Sequence, residues 1–222
     1  MTIPVDRAAH SEITPRPPGR SKRAAILTTA TREFARTGYR ASKWSDIADA
    51  VGIGSTALYH YFVSKDHCLF TIMADVLRDN RDHFDALQRE GAEAREVIEA
   101  AMRHPFAGGD QAAVRHQLIM AEMNLLALDH SGPAPERAAY LEARGYSHDI
   151  VRDWTRYLER CMRDGSLPLQ DPHLLARALI GLVSYVFAWY VPGSRVGAAA
   201  VSDALVAHAL AVAFRSAGAD SI

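Results

Sequence analysis

The chain has 222 residues, 49% of them apolar and 23% charged, with a formal net charge of −1 at pH 7. That length and apolar content suit one or two packed domains and exclude a disordered chain. Two cysteines, Cys68 and Cys161, without CxxC or CxxH spacing, exclude a disulfide framework and a structural zinc site, and read as small core residues of a reducing compartment. Charge is unevenly divided: residues 1–65 carry ten Lys/Arg against five Asp/Glu, which leaves −6 for the rest of the chain. A basic head on an acidic body fits a nucleic-acid module joined to a module of another kind.

Residues 1–19, with Pro4, Pro15, Pro17, Pro18 and Gly19, read as a disordered arm. From Ser21 the apolar residues Ile26, Leu27, Ala30 and Phe34 fall on one helix face, and Gly38 closes that helix. A second helix is predicted from Ser42, as N-cap, to Val51, with Trp44, Ile47, Ala48 and Val51 buried and Gly52 as its stop. A short third helix runs from about Ser55 to Phe62. Ser64 then caps a long amphipathic helix through Leu69, Ile72, Met73, Val76 and Leu77. Further helices are predicted over 93–103, 110–128, 135–164, 172–190 and 198–216, separated by Pro105, Gly108-Gly109, Gly132-Pro133, Gly165 to Pro168 and Pro192-Gly193. No stretch alternates in the manner of a strand, so the fold class is all-α: an N-terminal three-helix DNA-binding unit and a larger C-terminal bundle.

The segment Ser42 to Asp66 carries the chemistry. Ile47, Ala48, Val51, Ile53, Leu58 and Phe62 can pack two short helices around the Gly52 turn, with small Ala48 where they cross. Ser55, Thr56, Tyr59 and His60 are then left pointing outward, the layout by which a recognition helix enters the major groove. With Asp46-Ile47-Ala48, the glycine turn, Leu58-Tyr59-His60-Tyr61-Phe62 and Ser64-Lys65-Asp66, residues 21–70 resemble the DNA-binding signature of the TetR family. Phe34-Ala35 and Gly38-Tyr39 extend the match, and Val63 stands where proline is frequent in that family. The resemblance implies DNA contacts from Arg20, Lys22, Ser42, Lys43, Gly54, Ser55, Thr56, Tyr59, His60 and Lys65. Lys43, Tyr59 and Lys65 are assigned to phosphates, and His60 to the floor of the groove. Tyr61 and Trp44 read as core aromatics.

Beyond residue 80 the likeness is looser. Asp149 to Glu159, Arg163 to Leu167 and Ala176 to Gly193, ending Trp189-Tyr-Val-Pro-Gly193, are similar to the C-terminal domains of TetR-type regulators of lipid, steroid and aromatic-acid catabolism. Several of those regulators respond to acyl-CoA thioesters. Such regulators often carry an arginine in the helix before Trp-Tyr, whereas 178–191 is uncharged here, so an anionic effector would need Arg152, Arg156 or Arg177. His116, Met120, Met123, Asn124, Trp154, Tyr157, Tyr185 and Trp189 are the candidate residues for an apolar effector pocket. Glu122 is the charge placed to point inward.

The last two helices, rich in Ala, Leu and Val, suit a homodimer interface. No paired carboxylates, Ser/His/Asp signature, phosphate loop or metal cluster is present, so no catalysis, cofactor or metal is expected. The stretch Ala178 to Val191 falls short of the ~20 residues of a bilayer span, and no signal sequence is evident. Together these predict a cytoplasmic repressor with a disordered arm (1–19), a DNA-binding head (20–66) and an effector and dimerisation domain (67–222). Its partners would be palindromic operator DNA and a small apolar or amphipathic effector, with no membrane. A co-repressor- or partner-dependent DNA-binding protein is the alternative, and a deep apolar cavity in the C-terminal domain separates the two.

Overall fold

A computed structural model describes residues 19–215, with side chains from Lys22 onward. The predicted arm over 1–18 and the Arg20 side chain lie outside the described residues. The described chain is helical throughout: α1 (Gly19–Thr37), α2 (Trp44–Val51), α3 (Ser55–Tyr59), α4 (Lys65–Arg89), α5 (Ala94–Arg103), α6 (Asp110–Glu122), α7 (Ala134–Arg163), α8 (Pro172–Trp189) and α9 (Ala198–Ala213). Short 3₁₀ turns follow α5 (His104–Phe106) and α6 (Met123–Leu126).

Local chemistry sets the boundaries. Gly52 ends α2 with φ +71°, where a Cβ would be strained. Its N–H donates to the Asp49 carbonyl, and the Ile53 N–H donates to that of Ala48, so the last carbonyls of α2 are satisfied and the chain reverses at once into α3. Ser64 caps α4 by accepting the His67 N–H at 2.8 Å, as its sequence position predicts.

Ser42 is a correction. The Ser42 N–H donates to Gly38 O at 3.1 Å and its hydroxyl to Tyr39 O at 2.7 Å. The residue therefore belongs to the turn that closes α1, and Lys43 occupies the cap position of α2 without a side-chain cap.

One core runs from Ile26, Ala30 and Phe34 through Ile47, Ala48, Leu58 and Phe62 to Leu69, Ile72, Met73 and Val76 of α4. It continues into Leu118 and Ile119 of α6 and Tyr140 and Ala143 of α7. The sequence boundary at residues 66–67 thus falls within α4 and within continuous packing. A second core joins the C-terminal half of α4 (Phe84) to α5, the C-terminal half of α7, α8 and α9. Each fully buried Ile, Leu or Phe contributes roughly 1.5–3 kcal/mol relative to exposure. Among the described residues α8 is the one helix long and apolar enough to cross a membrane. It packs against α6, α7 and α9, with Leu175, Ala176, Leu179, Val186 and Phe187 buried.

Candidate nucleic-acid interface and effector cavity

α3 presents two faces. Leu58 is fully buried against the head core, and on the opposite side Gly54, Ser55, Thr56, Tyr59 and His60 are all exposed. Tyr59, an aromatic in an otherwise well-packed head, is 53% exposed. Lys22 on α1 and Lys43 before α2 are exposed as well. These residues supply cations, hydroxyls, a phenol and an imidazole beside a short helix, the groups that serve phosphates and base edges. Tyr61 and Trp44 pack on the head core, as expected of core aromatics; the Trp44 ring meets Phe62 edge-on at 6.5 Å, and the Arg23 guanidinium lies over the other ring at 4.9 Å.

Two residues of the predicted DNA set are employed elsewhere. Ser42 is buried in its turn. Lys65, expected at a phosphate, directs its ammonium inward: Nζ donates to Tyr39 O at 2.8 Å and Ser42 O at 3.0 Å, and it sits 4.5 Å from the centroid of the Tyr39 ring. An ammonium has three protons, and carbonyls of the turn between α1 and α2, those of Tyr39, Ser42 and, at 3.4 Å, Arg40, accept them. The Tyr39 phenol also donates to the Asp66 carboxylate. Burial first, and this carboxylate second, push the Tyr39 ionisation upward. The α1–α2 turn is therefore latched onto the first turn of α4. The other side of that turn is held too: the Ser64 hydroxyl donates to buried Glu136 of α7, which also contacts His130.

Behind the head, α4, α5 with its following turn, α6, α7 and α8 surround an apolar cavity of ≈ 90 Å³. Its walls include Phe84, Met102, Met120, Ile150, Trp154 and Phe187, and its polar groups include Asn80, Arg81, His116, Asp153 and Ser184. A wider groove of ≈ 820 Å³ shares Leu77, Met120, Ile150, Ile180, Ser184 and Phe187 with it, and reaches Phe34, Gly38 and Tyr39 of the head. His116 is 7% exposed. One ring nitrogen, Nδ1, faces the Ala112 carbonyl at 3.0 Å, Nε2 faces the Asn80 amide at 3.3 Å, and the ring stacks on Phe187. Burial lowers its pKa to about 4, so it is a neutral imidazole. Arg81 lies 3.4 Å from Asp149 and from Asp153, while the buried Arg81 Nε and Asp153 Oδ2 have no hydrogen-bond partner.

Of the predicted pocket residues, His116, Met120 and Trp154 line the inner cavity and Met123, with Glu122, the outer groove. Four do not line either. Asn124 is exposed because α6 ends at Glu122 and the tighter 3₁₀ turn rotates it outward. Tyr157 is buried one turn beyond Trp154, with its ring against Phe84. Tyr185 and Trp189 are 72% and 52% exposed on the outer face of α8. Sequence reasoning missed Asn80, Arg81 and Asp153. The signal was available in the polar pair Asn80-Arg81, which interrupts the apolar stripe of α4 between Leu77 and Phe84.

An exposed recognition helix behind a glycine turn, borne on a helical body with an internal cavity, defines a helix-turn-helix DNA-binding regulator. Residues 26–72 match the model of bacterial regulatory proteins of the tetR family, and residues 122–213 match that of the tetracyclin repressor-like C-terminal domain. The chain is 30% identical over 176 residues to the HTH-type transcriptional repressor KstR2 of Rhodococcus jostii, covering 79% of this chain and 82% of that protein. The protein belongs to the TetR family and is a transcriptional regulator, not an enzyme. Its fold is shared with AibR in complex with isovaleryl coenzyme A and operator DNA (TM-score 0.69, 21% identity, 87% of this chain and 98% of that one). It is shared equally with the ketosteroid transcriptional regulator KstR2 of Mycobacterium tuberculosis (TM-score 0.69, 22% identity, 87% and 95%).

Proposed function

We propose that the protein is a homodimeric cytoplasmic repressor that holds a palindromic operator through α3 and releases it when an apolar or amphipathic effector enters the cavity behind the head. The observation that carries this reading is the shared lining: α4 supplies Leu77, Asn80, Arg81 and Phe84 to the cavity, the outer groove touches Tyr39, and Tyr39 is bonded to the start of the same helix. A ligand that displaces α4 or the Tyr39 turn moves the recognition helix with it. A coupling of ~1–3 kcal/mol suffices for a several-fold to hundredfold fall in DNA affinity. A connected apolar cavity favours an effector over a partner-dependent head. The likeness to a ketosteroid transcriptional regulator and to AibR, whose complex holds isovaleryl coenzyme A, supports an effector derived from a lipid, steroid or aromatic acid and carried as a thioester.

In this reading Lys22, Lys43 and Tyr59 position the backbone, His60 with Ser55 and Thr56 reads the groove, and Arg20 extends the contact along the flank. Dimerisation follows from the outer faces of α8 and α9, because two recognition helices must stand ~34–36 Å apart to meet successive major grooves. Selection of bound duplexes from a random DNA library tests the proposal. A palindrome is expected, with His60→Ala changing the selected bases and Tyr59→Phe weakening all sequences alike. Unchanged base preference in His60→Ala removes the groove assignment, and absence of any enriched sequence overturns the operator reading.

A further inference from the structure

A second, chemically different concavity lies on the outer side of the body, between the middle of α7 and the start of α8. It is a surface groove of ≈ 550 Å³ whose walls include Arg152, Thr155 and Arg156 from α7 and His173 and Arg177 from α8. Ser147 lines both this groove and the wider mouth of the apolar cavity.

Positive charge is concentrated here. Arg152 and Arg156 are four residues apart on one helix, and on the facing one Arg177 donates its Nε–H to the His173 ring, so three guanidinium groups share the groove. Like charges at the Arg152/Arg156 spacing repel each other, and the repulsion disfavours the helix. The nearby carboxylates do not relieve it fully. Asp149 and Asp153 are drawn toward Arg81 and Arg152. Among the described residues, Arg156 has no ion pair or hydrogen bond, and Arg177 has only the His173 ring, 2.9 Å from its Nε. Guanidinium groups in a concave setting with hydroxyls beside them match the planar, bidentate demand of phosphate oxygens.

We propose that this groove is a binding site for a phosphate ester or diphosphate, with Arg156 and Arg177 as its principal ligands. The anion is either the phosphorylated end of the effector whose apolar part fills the adjoining cavity, or a separate free phosphate compound. The first source deepens the effector reading and rests on it; the anion site itself does not.

Calorimetric titration of the full-length protein tests it with three probes: inorganic pyrophosphate, coenzyme A and octanoyl-coenzyme A. Wild-type protein at low salt is expected to bind pyrophosphate and coenzyme A, and Arg156→Gln/Arg177→Gln to bind both at least tenfold more weakly. Its circular dichroism and its affinity for selected operator DNA should be unchanged. If octanoyl-coenzyme A binds more tightly than coenzyme A, and Ile150→Trp in the cavity erases that advantage alone, the anion is the effector's own. If the acyl chain adds nothing, the groove serves a separate anion. Equal binding of pyrophosphate by wild type and the double variant, or no binding to wild type, overturns the site. Operator release by octanoyl-coenzyme A in the double variant at the wild-type concentration would keep the effector reading and remove the groove from it.

Discussion

Tyr190 donates its phenolic proton to Asp110 across 2.7 Å, and this fastens the end of α8 to the first turn of α6. The second oxygen of the same carboxylate accepts the Gly193 N–H at 3.0 Å, and Gln117 donates to the Tyr190 carbonyl. Gly193 stands at φ +75°, which explains a glycine at that place. The Trp-Tyr-Val-Pro-Gly run is thus a clasp in which the tyrosine is buried and the tryptophan is not. Tyr190→Phe leaves the ring packing intact and removes a bond to a charged acceptor, so the protein should lose about 1–2 kcal/mol of stability. Urea unfolding measures the loss, and an unchanged midpoint would show that the clasp contributes nothing.

Lys43 and Lys65 should separate in their response to salt. Lys43 is exposed beside α2, and its replacement by Ala should remove one phosphate contact per protomer, two in the dimer, lowering the slope of log K against log salt by about 1.8. Lys65 is held by the carbonyls of Tyr39 and Ser42. Lys65→Met should keep the wild-type slope and instead cost about 1–2 kcal/mol of stability, since bonds from an ammonium are lost and carbonyls are left with fewer donors. Titration of labelled operator at several salt concentrations, beside thermal melts, distinguishes them. A slope reduced as much by Lys65→Met as by Lys43→Ala would return Lys65 to the phosphate set.

The contrast between these two lysines shows where the sequence is informative. Helix periodicity and glycine turns predict the described helices closely, because burying an apolar stripe is a local property of spacing. The exposed set on α3 follows the same rule: once Leu58 faces inward, Ser55, Thr56, Tyr59 and His60 must face out. What spacing does not carry is which partner a polar atom finds across the fold. Lys65 turns to carbonyls 23 and 26 residues earlier in the chain. Arg81 and Asp153, more than seventy positions apart in the chain, meet at the cavity from α4 and α7. Tyr185 and Trp189 are pocket candidates by sequence, yet α8 has two apolar faces and these lie on the outer one. The predicted bases Arg152, Arg156 and Arg177 do converge on one groove.

His116 should make stability depend on pH. The unfolded histidine titrates near 6.5, whereas the buried ring is held to about 4. As pH falls through 6.5 the unfolded chain takes up a proton that the folded chain refuses, so stability declines from about pH 6.5 down to about 4 and is flat below. The full difference of 2–3 pH units corresponds to roughly 3 kcal/mol. Urea titrations at pH 7, 5.5 and 4 should show wild type losing that much more than His116→Gln, in which the titrating ring is gone. Parallel curves for the two proteins would mean that the ring protonates in place.

The outer face of α8 yields the last prediction. Leu174, Ala178, Gly181, Tyr185 and Trp189 are exposed in one stripe, with small residues at its centre, where a second helix can approach closely. α9 adds exposed Ala204, Ala207 and Ala211. Two copies of this surface related by a two-fold axis would make a four-helix interface, and each residue near the axis would then meet its own counterpart. Tyr185→Glu would place two carboxylates in that desolvated seam, where like charges cost several kcal/mol, and sedimentation should report a monomer at micromolar protein. A monomer spans one half-site, so operator affinity should collapse while the fold, read by circular dichroism, persists. Tyr185→Lys should dissociate likewise, yet an equimolar mixture of the two variants should regain both the dimer and DNA binding, because the opposed charges then attract. That recovery separates an interface from mere damage to α8. A Tyr185→Glu protein that remains dimeric would place the interface elsewhere.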